Sequence, residues 1–344
     1  MNTEHVDIGV ARYSDWAFTS SVVVLVAALL LLAVELAYSR GRRVESRELV
    51  GAAAAATLGR AAAASGTSAT VGADSVTPGV VADAPKRPLD ERVGKAGLAL
   101  VYVGMGLLLV CIVLRGLATT RVPWGNMYEF INLTCFSGLV AGAIVLRRPQ
   151  YRALWVFVLV PVLILLTVSG RWLYTNAAPV MPALQSYWLP IHVSVVSLGS
   201  GVFLVAGVSS ILFLVKMSHL GAPSDSAAQG TAARIVARLP DAQVLDRIAY
   251  RTTIFAFPVF GFGVIFGAIW AEEAWGRYWG WDPKETVSFI AWVIYAAYLH
   301  ARATAGWRGA RAHYIQLLGF ASLITNMLVV QVFITGMHSY AGVK

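Results

Sequence analysis

The sequence predicts an all-α fold: a polytopic integral membrane helical bundle of about eight transmembrane helices. Three observations carry that expectation. Of 344 residues, 58% are hydrophobic and only 13% charged, with a mean hydropathy of +0.67, which is far too apolar for an ordinary soluble domain. Runs such as 22–37, 98–114 and 154–168 approach or exceed the length that carries a helix across about 30 Å of hydrocarbon. The basic residues fall in short tracts between those runs, as the positive-inside rule requires of connecting segments. The short alternating segments of a membrane β-barrel are absent.

Taken in order, the spans are expected at 16–38, 94–116, 127–146, 153–170, 190–216, 251–271, 285–303 and 313–336. The first resembles a secretory signal only in its apolarity: Glu4, Asp7 and Asp15 precede it and Arg40, Arg42 and Arg43 follow it. That is the charge order of a retained span whose amino terminus lies outside. Basic tracts at Arg40–Arg47, Lys86–Lys95, Arg147–Arg152, Lys216–Arg251 and Arg302–Arg311 alternate with sparser outer segments, where Arg121, Arg171, Arg277 and Lys284 are scattered exceptions. Both termini are therefore expected on the extracytoplasmic side of a bacterial inner membrane. Residues 1–39 form an outer tail and first span, and 40–93 a cytoplasmic linker. Residues 94–344 form the main membrane domain, with a tryptophan-rich loop at 270–285. Within the linker, 51–84 is almost wholly Ala, Gly, Ser, Thr and Val, too poor in aromatics to build a core. The inner segment 218–249 carries Ile235, Val236, Leu239, Val244 and Leu245, a pattern for a short amphipathic helix at the membrane surface.

The net charge of +9 does not point to nucleic acid, because the basic residues form no stripe or patch. Cys111 and Cys135 both lie within apolar runs, and the chain has no CxxC or CxxCH. It neither carries covalent haem nor resembles a thiol oxidoreductase.

The segment Trp270 to Glu285 concentrates Trp270, Trp275, Trp279 and Trp281 with Tyr278 between two spans. An interfacial aromatic belt is one explanation; a flat apolar platform for a planar ligand is the other, favoured because belts scatter their rings around a bundle. Asp282, Pro283 and Glu285 also spell a helix start, with Asp at the N-cap, Pro at the first position and Glu at the third. His192 opens one span and His338 closes another at the same outer level. Each alone reads as a hydrogen-bonded interfacial residue or a ligand; together, flanking the aromatic segment, they suggest bis-histidine ligation of haem iron. His300 lies near the inner end of its span, as a snorkelling residue or a ligand. His5, His219 and His313 carry no functional expectation. Asn126, Glu129 and Gln185 sit in outer loops, where they support the platform or, for Asn126 and Gln185, donate to haem propionates.

These residues resemble a known family, the haem-handling proteins with a WWD loop, of the CcsA or ResC type in System II cytochrome c biogenesis. The resemblance runs from about residue 95 to 341. It rests on Trp275-Gly-Arg-Tyr-Trp-Gly-Trp-Asp-Pro-Lys-Glu285, Asn126-Met-Tyr-Glu129, Gln185-Ser-Tyr-Trp-Leu-Pro-Ile-His192, Tyr298-Leu-His300 and His338-Ser-Tyr340, in the family's order. It implies that His192 and His338 are external axial ligands, that 275–282 holds the haem edge, and that His300 helps receive haem b at the inner side. There a second histidine is expected from a ResB-type membrane partner. It further implies presentation of haem to apocytochromes c carrying CxxCH, with any haem-lyase activity belonging to the complex. A haem exporter without ligase activity is the rival reading. An ion-coupled transporter is disfavoured because the spans carry no mid-membrane carboxylate.

Overall fold

The computed structural model describes residues 6–38, 89–180, 184–218, 231–304, 306–330 and 333–338. Every regular element among them is helical, so the all-α expectation holds. The linker expected at 40–93 lies almost entirely outside the described residues, as do His5, His219 and Tyr340.

In chain order the helices are α1 (Ile8–Tyr38), α2 (Leu89–Thr119), α3 (Met127–Val145), α4 (Leu154–Trp172) and α5 (Trp188–Met217). They continue as α6 (Thr231–Arg238), α7 (Ala242–Trp275), α8 (Pro283–Thr304) and α9 (Ala310–Ile324), the last prolonged by π-helical turns over Thr325–Val330. Seven described helices are long and apolar enough to cross a membrane: α1 to α5, α7, and α9 with its extension. The remaining expected span corresponds to α8, which has 22 residues but is more polar because it carries Lys284, Glu285, His300 and Arg302. The short amphipathic helix expected within 218–249 is met in part by α6, which holds Ile235 and Val236; Leu239 follows it in a bend, and Val244 and Leu245 belong to α7.

The loop expected at 270–285 is shorter than the sequence suggested. Residues up to Trp275 continue α7, which ends only where Gly276 takes a left-handed conformation (φ 69°) and returns its N–H to Glu272. Nothing between Trp270 and Trp275 breaks a helix; the first glycine after them does.

α1 lies along α2, α3 packs on α5, and α5 lies along α7, while α8 and α9 form a hairpin against α5 and α7. Close approach depends on small residues, as between helices in lipid. A Cβ on Gly201 would stand 2.7 Å from the Thr134 carbonyl and 2.8 Å from Ser137, so α3 and α5 touch backbone to backbone there. Tyr295 of α8 stacks on Phe203 of α5 at 3.7 Å, and Trp292 on Phe257 of α7 at 5.0 Å.

Two polar clusters brace the apolar bundle. At the histidine end, buried Arg115 of α2 and Glu129 of α3 pair at 3.2 Å, and Arg121 joins Glu129 at 3.0 Å. Arg115 also lies 3.6 Å from Asp15 of α1, whose other oxygen accepts from Tyr174 at 2.8 Å. At the opposite end, Arg302 of α8 donates two hydrogen bonds to Asp246 of α7. His313 of α9, fully buried, donates Nε2–H to Asp246 at 3.0 Å and accepts at Nδ1 from Ser210 of α5 at 2.9 Å. A buried charge must be paired and hydrogen-bonded to be tolerated, and both clusters meet that condition.

Candidate functional site

His192 sits in the first turn of α5, and α7 fixes its ring. Its Nδ1–H donates to the Gly263 carbonyl at 2.8 Å, and because a carbonyl oxygen only accepts, this bond assigns the proton to Nδ1 and the lone pair to Nε2. One turn further along α7, a Cβ on Gly267 would stand 2.6 Å from the imidazole Cε1. Glycines at 263 and 267 thus present a carbonyl and a gap on one helical face, and the imidazole fills the gap.

His338 lies just beyond the π-helical end of α9. Its Nδ1–H donates to Asp282 Oδ2 at 2.8 Å, while Oδ1 of the same carboxylate accepts from the Met337 N–H at 2.6 Å. Burial alone would raise the Asp282 carboxyl, but the bonds from His338 and Met337 hold it below the usual carboxylate range. Gly336 lets this happen, since a Cβ there would collide with Asp282 Oδ1. Asp282 keeps its other expected role as well: it accepts from the Lys284 N–H at 3.3 Å, and Glu285 accepts from the Asp282 N–H at 3.1 Å, a reciprocal capping box.

Trp270, 1% exposed, joins the two histidines. Its indole lies parallel to His192 (10° between planes) and meets His338 at 60°, each at 6.1 Å between centroids. Trp275 packs edge-on against His338 at 5.3 Å and against Trp270 at 4.8 Å. The rings do not form the flat platform expected: Trp279 and Trp281 are perpendicular at 5.8 Å. Edge-to-face contact satisfies the ring quadrupoles better than a coplanar sheet.

A cleft with about 170 Å³ of free space runs among these groups. His192, His338, Asn126, Trp275, Tyr278 and Trp279 line it. So do Lys284 and Asn326, the latter turned by the π-helical segment so that it donates to Ser288 at 2.7 Å and to the Lys284 carbonyl at 3.3 Å. A cavity of roughly 150 Å³ admits benzene, so a tetrapyrrole enters only if the rings part.

Of the other expected residues, only Asn126 reaches the cleft. Asn126 caps α3, accepting from the Glu129 N–H at 2.9 Å, and Glu129 is engaged by Arg115, Arg121 and the Gly125 N–H. Gln185 is exposed and donates to the Val180 carbonyl at 3.4 Å. Trp281 is 67% exposed and holds a left-handed backbone (φ 55°), uncommon for a bulky residue. His300 is exposed at the far end of α8, so it does not join the other two histidines. Sequence reasoning missed Trp270 as the bridging ring and missed Gly263 and Gly267; their i, i+4 spacing opposite a histidine is the signal that marks them.

Residues 124–338 match the family described as cytochrome C assembly protein. Similar proteins include the cytochrome c biogenesis protein CcsA of Guillardia theta, 35% identical over 259 residues, covering 70% of this chain and 85% of that protein. The CcsA proteins of Gloeobacter violaceus (32% over 298 residues, 74% of this chain and 87% of that protein) and Microcystis aeruginosa (33% over 297 residues, 74% and 89%) are comparable. The matched region spans every residue of the histidine and tryptophan site, and the chain belongs to the cytochrome c assembly family as a CcsA-type cytochrome c biogenesis protein.

Proposed function

We propose that this chain binds haem b between His192 and His338 on the extracytoplasmic side of a bacterial inner membrane and presents it for attachment to the CxxCH of apocytochromes c. One observation carries the reading: both imidazoles donate Nδ1–H to a fixed acceptor, the tautomer whose Nε2 carries the lone pair that would ligate a metal. Metal-bound histidines are oriented in this way by the partner of their second nitrogen. Trp270, Trp275, Trp279 and Tyr278 supply apolar walls suited to a porphyrin. In the chemistry this serves, each apocytochrome thiol adds its S–H across a haem vinyl double bond, so atoms and electrons balance without a further oxidant. The protein's contribution is ligation, orientation and exclusion of water; no side chain acts as acid or base.

On this reading both termini and the tryptophan loop are extracytoplasmic, His300 receives haem at the inner side, and a ResB-type subunit completes the synthetase. The decisive experiment is the visible spectrum of the full chain purified with such a partner, for the parent, His192→Ala and His338→Ala. A six-coordinate low-spin spectrum in the parent, lost in each variant and restored by imidazole, is expected. Unchanged spectra in the variants, or a parent that takes up no supplied haem, sink the reading. Haem bound normally without thioether formation in the presence of partner and apocytochrome favours the exporter instead.

A further inference from the structure

A second cavity lies away from the histidine site, between the end of α3, the middle of α5 and the start of α7. α3 and α5 both begin at the histidine end, at Met127 and Trp188, and run side by side past the Gly138–Gly201 contact. Arg147 and Arg148, just beyond α3, therefore lie about 30 Å along the bundle from Met127. Arg247 and Arg251 come from the first turns of α7, which reaches the histidines only at its other end.

The four arginines rim a pocket of about 620 Å³ that also includes Tyr151. None makes an ion pair or side-chain hydrogen bond with any described residue, and no carboxylate among the described residues lines the pocket. The nearby Asp246 is consumed by Arg302 and His313. Below the rim the walls become apolar: Ile144, Leu198 and Phe255 contribute to the lining and are 65%, 38% and 53% exposed. Leu198 stands three positions before Gly201, and hence deeper than the arginines along α5.

Guanidinium groups are the side chains best matched to phosphate oxygens, and basic pockets between transmembrane helices at the cytoplasmic side suit anionic lipid head groups. A rim of unneutralised positive charge over an apolar trough open to the bilayer fits a molecule with an anionic head and an acyl chain. We propose that this pocket is a binding site for an anionic phospholipid of the inner leaflet, its phosphate held by Arg147, Arg148, Arg247 and Arg251 and an acyl chain lying against Ile144, Leu198 and Phe255. The proposal is independent of haem ligation at the other end.

The test is native mass spectrometry of the delipidated full chain in mild detergent, titrated with phosphatidylglycerol or phosphatidylcholine. The parent is expected to retain one phosphatidylglycerol in preference to phosphatidylcholine, and Arg247→Gln/Arg251→Gln to bind it roughly thirty-fold more weakly, from the usual contribution of a basic side chain near an anionic lipid. Arg308→Gln/Arg311→Gln removes the same charge from exposed positions outside the pocket and is expected to behave as the parent. Helical circular dichroism of each variant establishes that it is folded; Arg247→Lys/Arg251→Lys, which keeps the charge, serves if the glutamine variant is not, and is expected to retain part of the preference. Equal binding of the two lipids, equal loss in the control, or undiminished binding in the pocket variant overturns the proposal. So does displacement of the lipid by added haem, which would assign the arginines to propionates.

Discussion

Asp282 and His338, 56 residues apart in the chain, are joined by a 2.8 Å hydrogen bond, and the same carboxylate also starts α8 and receives the Met337 N–H. One side chain thus fixes a helix terminus and the ring of a proposed ligand. Asp282→Ala is expected to weaken haem binding 10- to 100-fold, the usual cost of losing a ligand's orienting partner. A spectral titration with haem checks this. Asp282→Asn should recover part of the affinity, since an amide oxygen still accepts from Nδ1–H; affinity unchanged in the alanine variant contradicts the role.

Gly267→Ala should act on His192 with no change of charge. The added methyl would stand 2.6 Å from the ring, forcing the imidazole off its bond to Gly263. The expected outcome is a fall in the six-coordinate fraction with helix content retained. Gly106→Ala is the control, because a Cβ there meets nothing within 4 Å; the same spectral change in both variants would sink the idea.

Trp270 fills the space between the imidazoles. Trp270→Ala should accelerate haem uptake in stopped-flow mixing while lowering thermal stability by about 3–5 kcal/mol, the range for emptying a large aromatic site. Slower uptake would mean that the indole guides haem in instead of standing in its way.

Glu129 holds two guanidinium groups, one of them fully buried. Glu129→Ala should destabilise the detergent-solubilised chain by about 3–5 kcal/mol, because an unpaired buried charge is left behind. The double replacement Arg115→Met/Glu129→Leu should restore most of that. Thermal unfolding followed by circular dichroism measures both, and additive losses would rule out direct coupling.

The membrane fold was legible because apolar runs and flanking arginines are local signals, and so in part was the short helix at Thr231–Arg238. The level shared by His192 and His338 was also legible, since each lies at a helix end. What holds them was not: the Asp282–His338 bond and the Gly263–His192 bond are tertiary, spanning 56 and 71 residues. Trp270 was counted with a loop because its neighbours are aromatic, although only Gly276 stops the helix. Arg115 falls inside the span expected at 94–116 and drew no expectation, since only the fold puts Glu129 and Asp15 beside it.

The cluster around Asp246 gives the cleft a mechanics. Arg302 and His313 tie the α8–α9 hairpin to α7 at the end remote from the histidines, while at the histidine end ring contacts join the two bodies. His192 rides on the α5–α7 pair; His338 and its Asp282 anchor both ride on the hairpin. The hairpin is therefore fastened by charge at its base and by ring packing at its tips. Each orienting hydrogen bond lies within one of the two bodies, so any parting of the tips that widened the 170 Å³ cleft would separate His338 from His192 without breaking either bond.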